Sequence, residues 1–171
     1  MAAKLQNNFE IPEERDVSFP PAHTAEHLLN QVMQRMFGCE RSNNAHIERK
    51  KSKISWILDR KPDRKEEQAI ERQMNELIAE DLPVTFEFYT RAELEGLVFS
   101  AEEDSPDAHI SLDRLPADAS ETIRLVRIGT FDVCPCIGRH VRSTSQIGRF
   151  ELLGTNWDND KRSFRIRYKI V

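Results

Sequence analysis

Apolar residues recur at helical spacing near the start of the chain. This segment lies between the Pro20-Pro21 pair, which is tolerated in the first turn of a helix, and Gly38, which favours a helix end. Its apolar positions are Leu28, Leu29, Val32, Met33, Met36 and Phe37. The pattern predicts a helix from Pro20 to Phe37, with Ser18 as a candidate cap.

A second helix is predicted between Asp63 and about Glu80. Asp63 and Glu66 have the spacing of a capping box, in which each side chain accepts a hydrogen bond from the other residue's backbone N–H. The apolar stripe that follows consists of Ile70, Met74, Leu77 and Ile78. A short helix is also predicted from Arg91 to Gly96.

Alternation of apolar and polar residues predicts strands elsewhere. The alternation is clear at residues 54–58 and 84–88 and weaker at residues 45–50, and residues 121–128 are also typical of a strand. Residues 100–120 are acidic and contain prolines, and this composition favours a loop or flap.

The C-terminal segment predicts a hairpin, with strands at residues 149–154 and 163–170 around a turn at residues 156–161. Cationic side chains alternate in its second strand with the apolar Phe164, Ile166, Tyr168 and Ile170. Helices on a mostly antiparallel sheet make an α+β two-layer sandwich. We expect residues 20–171 to form a single domain and residues 1–19 to form a tail or an edge segment.

The charge of the chain is unevenly distributed. Its 171 residues carry 25 Lys and Arg against 29 Asp and Glu, a net charge of −4 that argues against a generally basic nucleic-acid-binding protein. Residues 121–171 carry ten cationic against five acidic side chains, a net charge of +5, so residues 1–120 carry −9. The C-terminal third is therefore a basic segment within an acidic protein.

The sequence gives little indication of a membrane-spanning segment or of disulfide bonds. No apolar run approaches the roughly 18 residues of a membrane helix and the N-terminus lacks an apolar signal core, so we expect a cytoplasmic protein. Cys39, Cys134 and Cys136 are an odd and sparse set that makes a poor disulfide framework. Cys39 is expected to be structural. Cys134 is expected to be a packed thiol, with a spare metal ligand as the alternative.

Two spaced pairs of residues carry the candidate chemistry. His23 and His27 are four residues apart on the first predicted helix, so their imidazoles share one face. Cys136 and His140 follow a predicted strand and enclose Gly138, which permits a tight turn. Three imidazoles and a thiolate suit Zn²⁺. Either pair alone is commonly explained by chance or core packing, but the two together favour a metal site.

The same residues carry a resemblance to a known family. Residues 22–29, Ala-His-Thr-Ala-Glu-His-Leu-Leu, resemble the H-[ST]-A-x-H-L-L signature of alanyl-tRNA synthetase editing domains. These domains are related to the second additional domain of threonyl-tRNA synthetases and to the free-standing AlaX proteins. Residues 136–150 are similar to the family's C-x-x-x-H-[VT] followed by T-x-x-I-G-x-[FI]. With the closing basic hairpin, the resemblance covers residues 20–171.

The chain departs from the family pattern at two points. Ile137, Gly138 and Arg139 stand between Cys136 and His140, where the synthetase editing domains usually read C-G-G-T-H. The glycine-rich segment that longer members carry ahead of the first histidine pair is absent. Both features are similar to the shortest AlaX class.

The resemblance implies a zinc-dependent trans-editing hydrolase that removes wrongly attached serine or glycine from alanine tRNA by ester hydrolysis. The zinc ligands that it implies are His23, His27, Cys136 and His140. Four protein ligands would close a tetrahedron, so we expect the ion to accept a fifth ligand or His140 to yield on substrate binding.

Two neighbours of the ligands are candidate catalytic residues. An aminoacyl ester is already activated, so its hydrolysis needs a placed water and a stabilised oxyanion. Thr24 could hydrogen-bond the substrate or this water, or it could be an ordinary helix hydroxyl. Glu26 could be a general base, or a carboxylate that supports a ligand or faces solvent.

Basic side chains of the C-terminal third are candidate contacts to a mischarged alanine tRNA. The cationic face of the last strand would suit phosphates, although such a face is commonly just solvated. Arg139 is a candidate for the tRNA terminus or an ester oxygen. The full set is Arg139, Arg142, Arg149, Lys161, Arg162, Arg165, Arg167 and Lys169.

Two other functions fit parts of the sequence. Zinc could staple an RNA-binding or regulatory module that has no catalytic activity. Residues 23–27 also match H-x-x-E-H, the inverzincin metalloprotease pattern in which the Glu is the base. A protease would need a carboxylate ligand from a later helix and would leave Cys136 and His140 unexplained.

Overall fold

The computed structural model describes residues 4–5, 19–115 and 122–171. Its α-helices over these residues are α1 (Pro20–Phe37), α2 (Arg64–Ala79) and α3 (Arg91–Ser100). The strands over the same ranges are β1 (Lys4–Leu5), β2 (Asn44–His46), β3 (Ser52–Ile57), β4 (Val84–Tyr89), β5 (Ile123–Ile128), β6 (Asp132–Pro135), β7 (Phe150–Asp158) and β8 (Ser163–Ile170).

The first two helices confirm the helices that the apolar periodicity predicted. α1 ends before Gly38, whose φ of 64° is a left-handed conformation that glycine adopts without strain. The candidate cap Ser18 lies outside the described residues, and Phe19 at the cap position makes no side-chain cap hydrogen bond. α2 has the predicted capping box, since Asp63 accepts the Glu66 N–H at 2.8 Å and Glu66 accepts the Asp63 N–H at 3.0 Å.

Other predicted boundaries were wrong by several residues. α3 continues past Gly96 to Ser100, because Leu97 and Val98 pack against a buried cluster beneath the helix. β7 continues to Asp158, so residues 156–158 belong to the strand and not to the turn. Residues 156–158 do not continue the apolar alternation of the strand, but their backbone pairs with β8 and so remains in the sheet.

The weaker predictions also changed. The strand predicted at residues 45–50 shrinks to β2. The loop or flap predicted at residues 100–120 contains 3₁₀ turns at Pro106–His109 and Leu112–Arg114, while residues 116–121 lie outside the described part of the chain.

The described strands form two antiparallel sheets. The first has the order β1-β4-β5-β6 and the second has the order β2-β3-β8-β7, with a bulge in β7 between Leu152 and Gly154. The α+β class is confirmed, with the strands divided between two sheets. β8 is an internal strand, since it pairs with both β3 and β7.

The N-terminal segment touches the first sheet at its edge, where β1 pairs with β4. Residues 1–3 and 6–18 lie outside the described residues, and the division into residues 1–19 and a domain at residues 20–171 stays a prediction.

The main core surrounds α1. Residues on several sides of this helix are buried, including Ala25, Leu28 and Leu29, each fully inaccessible. A helix that is apolar on most sides belongs in the interior, with elements packed around it. Around α1 the same cluster contains side chains of α2, of β4 and β5 from the first sheet, and of β3, β7 and β8 from the second.

The first sheet is covered on its other face as well. Val126 and Ile128 of β5 belong to the main core, whereas Ile123 and Leu125, which alternate with them, belong to a smaller cluster with α3 and Ile110. The segment after α3 therefore packs against the sheet that leads into the Cys136 turn. Among the described residues, no helix has the length and apolar character needed to cross a membrane.

Replacing Asp63 with Ala is expected to lower the free energy of unfolding by about 1 kcal/mol, because the Glu66 N–H loses its acceptor. Urea denaturation followed by circular dichroism measures the change. Asp59→Ala is the matched control, since Asp59 is exposed and makes no side-chain hydrogen bond or ion pair with the described residues. An equal loss in both variants would contradict the capping role.

Candidate metal centre

The fold brings the two predicted pairs of ligands together. One donor atom from each side chain lies within 4.8 Å of every other, in a group made of His23, His27, Cys136 and His140. The His23 and His140 rings stack with centroids 4.2 Å apart, and the His27 and His140 centroids are 4.5 Å apart. Helix α1 supplies two donors and the turn after β6 supplies the other two. Together they form the candidate metal centre.

Glycine is required in the turn by a close approach and not by its φ angle. A Cβ atom on Gly138 would lie 2.2 Å from Cε1 and 2.6 Å from Nδ1 of His23. The backbone of the turn therefore lies against the ring of a ligand from α1, at a distance that only glycine allows.

The Nδ1 atoms of His23 and His140 face away from the centre and have defined partners. His23 Nδ1 donates to the Arg139 carbonyl at 3.1 Å, because a carbonyl oxygen can only accept, and this leaves the Nε2 lone pair of His23 for the centre. His140 Nδ1 lies 3.0 Å from the Thr24 hydroxyl. Its Nε2 is buried, with no hydrogen-bond partner in the described part of the chain. A buried polar atom without a partner is costly, so the site favours a ligand there.

Burial keeps two of the imidazoles neutral. It lowers the pKa values of His27 and His140 well below the usual 6.5, and neighbouring His and Arg side chains lower them further. Neutral imidazole is the form that binds a metal ion. Burial also raises the pKa of the Cys136 thiol, so a bound cation would be needed to hold the thiolate. The donor set thus fits a metal ion and is compatible with zinc.

Glu26 lies beside the donors. Its Oε2 is 3.6 Å from His23 Nε2 and 3.8 Å from His27 Nε2. Asn30 donates to its Oε1 at 3.0 Å and thereby fixes the carboxylate. Burial raises the pKa of Glu26 to about 7, against the opposing charge of Arg41. This group was predicted as a base, a supporting carboxylate or a carboxylate that faces solvent. It lines a cavity with only 15% of its side chain exposed, and its role as a base stays a prediction.

Thr24 lies behind the ligands. It is fully buried, and its hydroxyl accepts the Val141 N–H at 3.1 Å in addition to its contact with His140. This geometry positions the His140 ring and the chain after it. A direct contact between Thr24 and substrate or water stays a prediction.

Sequence reasoning missed a buried ion pair behind His27. Asp132, at the start of β6, is fully buried and accepts from Arg41 NH1 at 2.7 Å and from Gln31 Nε2 at 3.2 Å. Its Oδ2 lies 4.0 Å from His27 Nδ1. Asp132 pairs with a residue 91 positions away, and no local sequence signal marks such a contact.

A cavity of about 270 Å³ opens beside the candidate metal centre. Glu26 and Asn30 of α1 line it, together with Arg41-Ser42 and residues 109–111 and 133–136. The segment predicted as a flap therefore contributes one wall. Cys134, predicted to be a packed thiol, also lines the cavity, and burial raises the pKa of its thiol to about 12.

The predicted tRNA-binding residues separate into two regions. Arg139 and Arg142 flank His140 in the turn. Those on β8 alternate with Phe164, Ile166 and Tyr168, which face the core, and the Tyr168 hydroxyl donates to the Ala22 carbonyl of α1. The sheet itself therefore lies between the β8 cations and α1.

Several of these cations have acidic, basic or polar neighbours. Arg149 and Lys169 both lie within 3.7 Å of the Glu151 carboxylate. Arg165 donates to the Ser55 hydroxyl at 3.3 Å, and Arg167 is paired in register with Lys53. Lys161 and Arg162 lie in the turn between β7 and β8. Lys53 is a basic neighbour that the sequence pattern alone did not identify.

The donors grouped in the described residues do not match the protease alternative. They include Cys136 and His140 but no carboxylate from a later helix. The H-x-x-E-H match of residues 23–27 therefore lacks the third ligand that it requires.

Gly138→Ala is expected to weaken metal binding about tenfold or more, because the new methyl group would displace the His23 ring. Competition with a chromophoric zinc chelator measures the affinity. Ile137→Ala in the same turn is the control, since the Ile137 side chain is 70% exposed. Retention of full affinity by Gly138→Ala would show that this close approach does not constrain the ligand.

Comparison with known proteins supports the resemblance carried by the two motifs. Residues 123–167, which contain Cys136 and His140, match the family described as the threonyl and alanyl tRNA synthetase second additional domain. The alanyl-tRNA editing protein AlaX-L of Pyrococcus horikoshii is 29% identical over 131 residues, 77% of this chain and 29% of that protein. The alanine–tRNA ligase of Methanococcus vannielii is 29% identical over 134 residues, 78% of this chain and 14% of the ligase.

A third relative, the alanine–tRNA ligase of Treponema pallidum, is 29% identical over 131 residues, 76% of this chain and 20% of the ligase. The chain thus spans less than a third of the length of these relatives. The resemblance predicted from residues 22–29 and 136–150 is confirmed: the chain is similar to an AlaX-type alanyl-tRNA editing protein and to part of alanyl-tRNA synthetases.

Proposed function

We propose that this chain is a zinc-dependent aminoacyl-tRNA deacylase that hydrolyses the ester joining serine or glycine to alanine tRNA. The observation that carries the proposal is the meeting of three imidazoles and one thiol beside a cavity, in a chain similar to an alanyl-tRNA editing protein. Because charged tRNA is used in the cytoplasm, we expect the activity there.

His23, His27, Cys136 and His140 would hold the zinc ion. Nitrogen and sulfur donors are those that Zn²⁺ prefers in proteins, and the unpartnered Nε2 of His140 would gain a partner. When bound, the ion supplies positive charge that polarises an ester carbonyl or acidifies a water. Acceptance of the His140 Nδ1 proton by Thr24 would keep the Nε2 lone pair directed at the ion.

Glu26 is the residue best placed to move protons in the reaction. Its carboxylate lines the cavity and is fixed by Asn30. Burial raises its pKa to about 7 in the site without a cation, and a bound cation would lower this pKa and favour the ionised form that accepts a proton. We propose that Glu26 accepts a proton from the water that attacks the acyl carbon. It then returns a proton to the ribose oxygen as the ester C–O bond breaks.

The cavity has room for the acyl group of the proposed substrate. Its volume of about 270 Å³ lies just below the range of about 300–1,000 Å³ that is typical of sites for drug-sized ligands. Polar groups from Asn30, Arg41 and Ser42 line the cavity together with the apolar Ile110 and Val133. These lining groups can hydrogen-bond and pack against the serine or glycine acyl group of the proposed substrate.

Arg139 and Arg142 are the proposed contacts to the end of the tRNA, because they flank His140 in the turn. The cations on β8, with Lys53 beside Arg167, are proposed contacts to more distant phosphates. Arg149 and Lys169 contribute less net charge because both lie beside Glu151.

One observation favours a second candidate function. Four protein donors within 4.8 Å can complete a tetrahedron, which is typical of structural zinc sites. Zinc would then fasten α1 to the turn after β6 in an RNA-binding module that has no catalytic activity.

Metal analysis and deacylation assays together test the proposed function. The purified protein is expected to contain about one zinc ion per chain, because three imidazoles and one thiol converge in the centre. It is also expected to release labelled amino acid from seryl- and glycyl-tRNA(Ala) while sparing alanyl-tRNA(Ala). A zinc-free protein that hydrolyses none of the three substrates would refute the proposal.

The Cys136→Ser variant separates the enzyme from the zinc-stapled module. Loss of turnover in a variant that keeps its native circular dichroism spectrum supports the enzyme. Global unfolding of the variant supports the module if the unchanged protein contains zinc but has no deacylase activity.

Glu26→Gln is expected to reduce kcat for deacylation by about 10²- to 10⁴-fold with zinc content unchanged, because the amide cannot accept a proton. Glu76→Gln on α2 is the matched control, since the Glu76 side chain is 63% exposed and pairs with Arg72. Equal kcat values for the two variants would exclude Glu26 as the base.

A further inference from the structure

Arg124 lies beneath the turn that carries two of the proposed metal ligands. It belongs to β5, and in that strand it alternates on the same face with Val126 and Ile128 of the main core. Only 5% of its surface is exposed. A buried guanidinium is uncommon and costly, so the groups that it binds are informative about its role.

The guanidinium of Arg124 binds both ends of the Cys136–Gly138 segment. Its Nε donates to the Cys136 carbonyl at 2.7 Å, and its NH2 group donates to the Gly138 carbonyl at 2.5 Å. The Cys136 N–H in turn donates to the Arg124 carbonyl at 3.2 Å. Arg124 thus donates two hydrogen bonds to this segment and accepts one, and these bonds fix the backbone on both sides of Ile137.

The fork of donors on Arg124 is held in place by an aromatic ring. Its Cζ lies 4.4 Å from the centroid of Phe86, which is on the neighbouring strand β4. A guanidinium stacked on a ring has a restricted orientation, so its two donors are preorganised. The ring of His140 lies 6.4 Å from the same Phe86 ring. Phe86 and Arg124 thus form a platform under the turn.

The position of the turn must be fixed, because it determines where the proposed ligands lie relative to one another. Gly138 lies against the His23 ring, and the Arg139 carbonyl accepts the His23 Nδ1 proton. A small displacement of the turn would therefore move Cys136 and would also release His23 from its hydrogen bond. Arg124 acts on the centre through this backbone, and not as a ligand.

We propose that Arg124 is a positioning residue that fixes the Cys136–Gly138 turn through its two carbonyl hydrogen bonds and so sets the metal affinity of the site. This inference rests on the metal binding of the proposed function, but not on deacylation. A lysine can keep the charge, but its point-like ammonium cannot reproduce a planar fork that spans two carbonyls. Geometry and charge can therefore be separated by substitution.

The experiment compares Arg124→Lys and Arg124→Gln with the unchanged protein. Zinc affinity is measured by chelator competition, and the metal-free protein loaded with Co²⁺ is examined for its thiolate charge-transfer and ligand-field absorption. Both variants are expected to lose about 10- to 100-fold in affinity, with an altered cobalt spectrum. Full affinity and an unchanged spectrum in Arg124→Lys would overturn the proposal.

Arg127→Lys is the matched control for a general effect of changing an arginine in β5. Arg127 lies on the opposite face of the strand, where it pairs with Glu87 and Asp107. The Arg127→Lys variant is expected to retain the zinc affinity and the Co²⁺ spectrum of the unchanged protein. A loss in Arg127→Lys equal to that in Arg124→Lys would contradict a specific role for Arg124.

Phe86→Leu keeps the proposal testable if both Arg124 variants fail to fold. Loss of the ring leaves the guanidinium free to reorient, so zinc affinity is expected to fall several-fold. The Co²⁺ absorption spectrum is expected to change in the same way as in the Arg124 variants. An unaltered affinity in Phe86→Leu would then count against the platform. Failure of the unchanged protein to bind zinc or Co²⁺ is a separate result, which would refute the metal site itself.

Discussion

The burial of α1 on several sides is the constraint on which the rest of the structure depends. An interior helix cannot leave polar side chains without partners, yet α1 contains His27, Asn30 and Gln31 in its buried stretch. Asn30 and Gln31 are matched by groups from other elements, whereas His27 Nδ1 has no hydrogen-bond partner among the described residues and lies 4.0 Å from Asp132 Oδ2. Asn30 accepts the Trp56 indole N–H and the Ser42 N–H, and Gln31 donates to Asp132.

The candidate metal centre is an extension of this polar interior. The turn after β6 reaches α1 because β5 and β6 pack against the helix and because Gly138 has no side chain to keep it away. The Nδ1 atoms of His23 and His140 are then hydrogen-bonded to Arg139 and Thr24. A bound cation would complete the set by giving a partner to the buried Nε2 of His140. Folding and metal binding are therefore expected to be coupled.

The two sheets divide the surface of the protein between different tasks. The first sheet is covered on both faces, and its far face supports the segment that forms one wall of the cavity. The second sheet buries one face against α1 and exposes the other, which carries the β8 cations and Lys53. The basic third of the sequence thus contributes both to the centre, through Cys136 and His140, and to a separate outer face.

The sequence by itself determined the two long helices and indicated the four candidate metal donors. The α1 and α2 helices follow from local periodicity and capping, and the four donors follow from spacings of four residues within each pair, which local geometry controls. Only the tertiary structure decided that the described strands form two sheets and that Arg165 and Arg167 lie across a sheet from α1. It also decided that Asp132 lies beside His27 and that Arg124 binds the turn after β6. These features depend on contacts between residues far apart in the chain, and apolar alternation records that a side chain is buried but not which distant group it meets.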